Sequence, residues 1–403
     1  MRSSAEAIKI SENVYWVGAI DWEIRNFHGY NTSQGTTYNA YLILAEKNVL
    51  VDTVKLPFFD EMLARISSII APSEIDYIIS NHSEMDHSGA LIKTAEIIKP
   101  EKVFCSKNGA EALKKHLNPN FELTVVKTGD KIDLGGKTVS FIETRMLHWP
   151  DSMFTYLHED RILFSQDAFG MHLASSERFY DKIDNYILET EAEKYYANIL
   201  LPYSDLILKL LSQISSLNID IKMIATDHGP IWRNNGICKI LSLYEKWALQ
   251  KPQNRAIIIF DTMWGSTTKM AEAISDGIIA TGTEVKLMPL SANHRSDIAT
   301  EQLNSGAILF GSPTLNNNIF PTMADLIFYL KGLRPKNKIG AAFGSYGWSG
   351  EATRQLDSFL KEMKFEIVSE PISVKYVPTR DELNKCFELG KKIAEKLKSL
   401  TQN

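Results

Sequence analysis

The sequence predicts an α/β chain of two domains, a sandwich of packed sheets with helices outside, then a doubly wound parallel sheet of five strands. Three observations carry this expectation. Short strand-like runs are mixed with helical ones over the first 250 residues or so, a polar break follows, and strands then alternate regularly with helices to the end. In the first part, Ile8 to Ile20 alternates apolar and polar residues, and Tyr41 to Ala45 with Asn48 to Asp52 forms a hairpin pattern. Phe58 to Ile70 carries helical spacing and Ile75 to Ile79 returns to strand. Further strands are expected at Lys102 to Cys105, Leu123 to Val126, Thr138 to Glu143 and Arg161 to Phe164, and a helix at Glu191 to Leu217. The break is Gln250 to Asn254, whose Pro252 cannot continue a helix, so the boundary is placed near 251 and the domains at 1–251 and 252–403. Beyond it, Ala256 to Phe260, Glu284 to Met288, Ala307 to Phe310, Lys338 to Phe343 and Phe365 to Val368 are the expected strands, and Arg380 to Leu400 the final helix.

Composition narrows the function classes. A formal net charge of −5 over 403 residues makes no electrostatic case for nucleic acid or an anionic membrane surface. Three cysteines, Cys105, Cys238 and Cys386, are too scattered for a disulfide framework, a Cys-x-x-Cys pair or a rubredoxin-type iron site. The N-terminus lacks the apolar core of a signal peptide, and no apolar run reaches the roughly 18 residues of a membrane span. A soluble, cytoplasmic protein is expected.

Directly after the strand ending at Ile79, four metal-capable side chains crowd six positions: His82, Glu84, Asp86 and His87. A hydrophilic loop with a helix cap is the bland alternative, but such loops rarely alternate so many ligand types. His148, Asp167 and His228 each follow a strand candidate. One such residue alone is usually a hydrogen-bonded structural group. Three of them beside the cluster read as ligands converging on one sheet edge. Four histidines and three carboxylates make a mixed nitrogen and oxygen donor set for metal.

In the second domain, the turn after Phe260 offers Thr262, Met263, Trp264, Gly265, Ser266 and Thr267 at the start of a helix. Its backbone N–H groups and hydroxyls suit a phosphate. An ordinary Ser/Thr helix cap explains that turn equally well. Two more strand-end loops favour a ligand site, one with Thr314, Leu315, Asn316 and Asn317, the other with Ser345, Tyr346, Gly347, Trp348, Ser349 and Gly350. All three belong at the carboxyl edge of the sheet, where open α/β folds bind ligands.

These residues carry a resemblance. The strand run and the His-x-Glu-x-Asp-His loop resemble a metallo-β-lactamase-like domain, an αββα sandwich, although zinc hydrolases of that superfamily usually have His where Glu84 stands. The three later loops resemble flavodoxin, which implies FMN, with Trp264, Tyr346 and Trp348 as candidates to flank its ring. The two in this order resemble the flavodiiron proteins over essentially the whole chain. That resemblance implies one iron on His82, Glu84 and His148, the other on Asp86, His87 and His228, and Asp167 as bridge. It also implies a pocket histidine and tyrosine, matched by His28 and Tyr196. Family members reduce dioxygen, nitric oxide or both. The stretches Asp21 to Tyr30, Gln34 to Ala40 and Leu147 to Met153 look closest to the methanogen oxidases of reduced deazaflavin coenzyme F-420. Two ferrous ions and one reduced FMN hold the four electrons needed to take dioxygen to two waters. The family further implies a head-to-tail homodimer or a dimer of dimers. Two alternatives remain open: a nitric oxide reductase fed by a separate rubredoxin, and a zinc hydrolase with a flavodoxin docking module, which Glu84 disfavours. A flavodoxin-like binding module with a dead metal domain is disfavoured because no ligand is missing.

Overall fold

A computed structural model of the chain describes residues 6–216 and 219–401. The first five residues and Leu217, the expected end of the long helix, lie outside the described residues. The chain divides into two compact units, one of Met1–His28, Thr32–Tyr196 and Tyr203–Glu245, the other of Gly29–Asn31, Ala197–Pro202 and Lys246–Asn403.

The first unit is the expected sandwich of two mixed sheets. The seven-stranded sheet runs in the order Ile8–Ser11, Val14–Trp16, Tyr41–Ile43, Val49–Val51, Tyr77–Ser80, Lys102–Ser106, Leu123–Val126. Its first four strands pair antiparallel and the remainder parallel. Successive side chains on a strand face opposite ways, so each strand feeds two cores. Tyr41, Ile43, Val49 and Val51 pack toward Phe141, Met153 and Phe164 of the second sheet. Leu42, Leu50 and Ile78 pack with Phe59, Met62, Ile66 and Leu91 of the covering helices. The six-stranded sheet takes Lys131–Asp133, Thr138–Glu143, Met153–Leu157, Ile162–Gln166, Met223–Thr226 and Trp232–Arg233 in order.

Several expected elements need correction. Ile8 to Ile20 is three short strands, broken by Asn13 in left-handed backbone at φ 62°. The expected helix from Glu191 starts earlier, at Asn185, capped by Asp184, and stops at Tyr195. A π-turn over Tyr196–Leu200 and a 3-10 turn over Leu201–Tyr203 precede the next helix, Ser204–Ser216. Pro202 has no N–H to continue the helical ladder there. Strand Met153–Leu157 was not expected, because every residue in it is buried and the alternation that marks a half-exposed strand is lost.

The second unit holds a parallel sheet in the order Glu284–Pro289, Arg255–Phe260, Ala307–Gly311, Ile339–Tyr346, Glu366–Ile367. With strands numbered within the unit this is 2-1-3-4-5, the doubly wound order of flavodoxin. The fifth strand is split, since Ile372–Lys375 also pairs with Ile339–Tyr346 farther along. Helices Ser266–Ile279 and Arg380–Thr401 cover one face. They cross on two glycines: a Cβ on Gly277 would lie 1.9 Å from the Phe387 carbonyl oxygen, and one on Gly390 would lie 2.1 Å from that of Ile274. Among the described residues no helix is long and apolar enough to cross a membrane.

One buried cation in this unit has a testable signature. Lys338 Nζ donates to the carbonyls of Gln302, 2.7 Å, and Ser305, 2.5 Å, at the end of helix Arg295–Leu303. Burial pushes its amine down to about 7. An unfolded lysine titrates near ~10.4, so between these values only the unfolded chain binds the proton. Stability therefore rises with pH across that window, by up to about 1.4 kcal/mol per pH unit. Lys338→Met should flatten this rise in denaturant titrations from pH 7 to 10. An unchanged slope would assign it to other groups.

Candidate metal centre and flavin cleft

Strand ends bring the metal candidates together. Tyr77–Ser80 delivers the loop from Asn81, and the short helix Met85–Ser88 follows, with Glu84 at its start. His148 lies in the loop between Thr138–Glu143 and Met153–Leu157. Asp167 follows Ile162–Gln166, where a register shift against Met223–Thr226 and left-handed backbone at Gln166, φ 45°, turn the carboxylate inward. His228 stands just past Met223–Thr226.

Two groups result, His82, Glu84, His148 and Asp167, and Asp86, His87 and His228, with the potential ligand atoms of each group within 4.8 Å of one another. Asp167 faces both. Its Oδ2 lies 3.2 Å from His82 Nε2 and 3.0 Å from His148 Nε2. Its Oδ1 lies 3.2 Å from His87 Nε2 and 3.4 Å from His228 Nε2. Glu84 Oε2 approaches His82 and His148 at 3.3 and 3.2 Å, and Asp86 Oδ2 approaches His87 and His228 at 3.3 and 3.2 Å.

The far ring nitrogens are held in turn. His82 Nδ1 meets Asp151 Oδ2 at 3.1 Å, and that oxygen also accepts the Ser83 N–H at 2.6 Å. His228 Nδ1 meets the Thr37 carbonyl at 2.6 Å. Such outer partners fix ring orientation and leave Nε2 free to coordinate.

Burial disfavours charge on His82, Glu84, Asp86, His87, His148 and Asp167, and mutual attraction outweighs it. The carboxylates hold His87 and His148 up at about 9, and His82 well above the histidine range. The histidines in turn hold Glu84, Asp86 and Asp167 below the usual carboxylate range. Three buried carboxylates pull strongly on any cation between them. A divalent ion fills that place when bound, and the histidines then serve as neutral imidazoles.

In the second unit the three loops border a cleft of about 440 Å³. Met263, Trp264 and Ser266 come from the first loop, Thr314, Leu315 and Asn316 from the second, and Ser345, Tyr346, Gly347 and Trp348 from the third. Gly265, at φ 82°, turns the chain into helix Ser266–Ile279, and its N–H donates to Thr262 Oγ1 at 3.1 Å.

Known proteins share this whole plan. A family model described as ODP family beta lactamase matches residues 36–229, and one described as flavodoxin matches 258–390. A nitric oxide reductase of Moorella thermoacetica is 47% identical over 397 residues, covering 98% of this chain and 99% of the relative. The coenzyme F420H(2) oxidase of Methanothermobacter marburgensis is 44% identical over 406 residues, with 98% and 99% covered. The solved rubredoxin oxygen:oxidoreductase of Desulfovibrio gigas superposes with a TM-score of 0.97 at 43% identity, over 99% of this chain and 100% of that one. The chain belongs to the flavodiiron protein family.

A flavodiiron protein carries FMN and a non-haem diiron centre, and the side chains fit both. Asp86 Oδ1 and Oδ2, Asp167 Oδ1 and Oδ2, and His87 Nε2 are buried with no hydrogen-bond partner, which is costly unless a cation takes them. The oxygen-rich donor set suits iron. For FMN, the cleft is largely apolar in its aromatic walls and ends on a helix N-terminus.

Not every expected site residue of this flavodiiron protein lies where the sequence put it. His28 is close to the metal candidates, its Nε2 lying 3.6 Å from Glu84 Oε1. Tyr196 is not: its hydroxyl pairs with Ser204 Oγ at 3.1 Å and its ring packs on Tyr244. Its neighbour Tyr195 faces the site instead, with ring centroids 5.1 Å from His172 and 6.1 Å from His228. His172, expected on the surface or in an ordinary core, is buried 4.6 Å from the His228 ring. Its only sequence signal is its place five residues after Asp167. In the flavin cleft, Thr262, Gly265, Thr267, Asn317, Ser349 and Gly350 support the loops without lining the cavity, while Pro313, Tyr376 and Val377 line it unexpectedly.

Thr267 is fully buried and its hydroxyl pairs with Ser345 Oγ at 3.0 Å, which leaves Ser266 as the hydroxyl nearer the cleft. Losing a hydrogen bond to a charged phosphate costs ~1.5 kcal/mol or more. Ser266→Ala should therefore weaken FMN binding about tenfold. Flavin fluorescence titration of the FMN-free protein measures this directly. Equal affinity would leave the phosphate to backbone N–H groups.

Proposed function

We propose that this flavodiiron oxidoreductase reduces dioxygen to water, with electrons arriving through FMN from reduced deazaflavin coenzyme F-420. The observation that carries the reading is Asp167, one carboxylate with an oxygen toward each histidine group. In this reading His82, Glu84 and His148 hold one iron, Asp86, His87 and His228 the other, and Asp167 joins them. When bound, the irons and FMN supply the redox chemistry that no side chain here can. The chain's own part is to hold ligands and pocket in place. Asp151 and the Thr37 carbonyl orient His82 and His228, while the rings of Phe27, His172 and Tyr195 pack against that of His228. In this reading His28 serves catalysis from beside Glu84, with its side chain largely open to solvent. The donor assignment rests on likeness to the coenzyme F420H(2) oxidase.

A second reading has its own support: the relative at 47% identity is named nitric oxide reductase. One set of measurements separates them. The enzyme is reduced anaerobically with F-420 coenzyme or with reduced rubredoxin, then given dioxygen or nitric oxide. Fast oxygen uptake with the deazaflavin donor is expected. Turnover only with nitric oxide, or only with rubredoxin, overturns that part.

Head-to-tail dimers belong to the same reading. Trp264 and Trp348 beside the flavin cleft are 92% and 85% exposed, and Met85 next to Glu84 is 42% exposed. Large apolar side chains left open at both sites suit burial against a second copy about a two-fold axis. A metal-dead chain mixed with a flavin-dead chain should recover activity only as a heterodimer. Inactive heterodimers with intact cofactors would place electron transfer within one chain. A cytoplasmic setting completes the reading.

A further inference from the structure

The segment from Thr36 to Tyr41 joins strand Thr36–Tyr38 to strand Tyr41–Ile43, and Asn39 stands between them, fully buried. Every polar group of its side chain is engaged. Oδ1 accepts the indole N–H of Trp16 at 2.8 Å, and Nδ2 donates to the carbonyls of Thr226, 2.7 Å, and Gly229, 3.0 Å. Its backbone N–H donates to the Asp227 carbonyl at 2.8 Å. An indole N–H can only donate, so Trp16 determines which end of the amide is oxygen and turns both amide hydrogens toward one loop.

That loop carries His228. Thr37 completes the hold: its carbonyl meets His228 Nδ1 at 2.6 Å and its hydroxyl accepts the Gly229 N–H at 2.7 Å. A carbonyl only accepts, so the imidazole hydrogen sits on Nδ1 and the Nε2 lone pair points toward Asp86 and Asp167, 3.2 and 3.4 Å away. The other histidine group is supported elsewhere, by Asp151 behind His82. The hydrogen bonds of Asn39 all end on Trp16 and the Thr226–Gly229 loop.

We propose that Asn39, oriented by Trp16, is a positioning residue that sets the metal affinity of Asp86, His87 and His228 separately from that of His82, Glu84 and His148. This rests on the reading of those residues as two metal groups. The decisive substitution is Asn39→Asp, which keeps the shape and the acceptor for Trp16 but places an oxygen against the Thr226 and Gly229 carbonyls. Outer-shell losses of this kind weaken metal binding about 10–100-fold.

The experiment loads the full chain, FMN bound, with ferrous ion under anaerobic conditions and titrates it against a competing chelator, reading iron retained per chain. For the parent protein two release steps are followed. In Asn39→Asp the step belonging to the His228 group should shift by about 10–100-fold in chelator while the other stays in place. The metal-free protein should also show faster solvent exchange of the His228 Nδ1–H resonance, which a general loss of stability would not single out. Trp16→Phe, which frees the amide to rotate but leaves the loop contacts available, should shift the same step by less. If Asn39→Asp fails to fold, Trp16→Phe decides on the same curve. Equal shifts of both steps, or no shift, overturn the proposal. His228→Ala separates it from the reading beneath: if that variant keeps both release steps, the metal assignment itself fails, whereas loss of one step there with none in Asn39→Asp rejects the positioning role alone.

Discussion

Asp167→Ala should yield a yellow protein almost free of iron, with turnover on the proposed dioxygen substrate down by more than about a hundredfold, beyond the range seen for outer-shell losses. Among the described residues this carboxylate alone faces both histidine groups, with Oδ2 3.0 Å from His148 and Oδ1 3.2 Å from His87. Removing it strips an anionic ligand from both positions together and leaves His82, His87 and His148 with less charge to attract a cation. FMN should remain, because the flavin cleft is lined wholly by residues between Met263 and Val377. Metal analysis and the visible spectrum on one sample decide the matter. Normal iron with normal turnover removes Asp167 from the ligand set, and joint loss of iron and flavin points to unfolding. Asp167→Asn sharpens the test: it keeps the size but offers one oxygen, so one iron should be retained better than two.

Gly277→Ala should cost about 3 kcal/mol, the upper end of the usual cost of overpacking and a large share of the 5–15 kcal/mol typical of a whole domain. The reason is local. An added methyl would meet the Phe387 carbonyl oxygen at 1.9 Å, and backbone of a packed helix has no rotamer to escape into. Helices Ser266–Ile279 and Arg380–Thr401 must then separate, exposing Ile274, Ile278, Leu389 and Ile393 of their shared core. Ser266 starts the first of these helices, so the displacement also reaches the flavin cleft. Chemical denaturation should show a lowered midpoint together with weakened FMN retention, while iron content stays near its usual value. Unchanged stability would mean the crossing relaxes at little cost.

The candidate metal site was legible in the sequence because chemistry there is local: His82 to His87 crowds four ligand-capable side chains behind a strand, and His148, Asp167 and His228 each follow one. Tyr196 was misassigned for a geometric reason. Adjacent helical residues point about 100° apart, so naming the tyrosine that faces inward needs the phase of the helix. That phase is set by Asp184 at the cap and by the π-turn from Tyr196, neither of which the helical pattern marks. Tyr376 was missed because the last strand was expected to end at Val368. Its second piece, Ile372–Lys375, sets Tyr376 at the carboxyl edge beside the flavin loops. Asn39 stood in the sequence only as part of the Gln34 to Ala40 stretch, with no role marked, since a single amide between two strands acquires meaning only from the distant loop it holds.

The candidate ligands come from four separate stretches of chain, and the last of them, His228, follows the final long strand of the second sheet. A ribosome making this protein releases His82 to His87 long before the partner residues exist. The earliest stretch alone is a short acidic loop with little grip on a metal. Iron capture must therefore wait until both sheets have closed, so loading certifies a finished fold, unlike small zinc modules, in which the metal organises the chain.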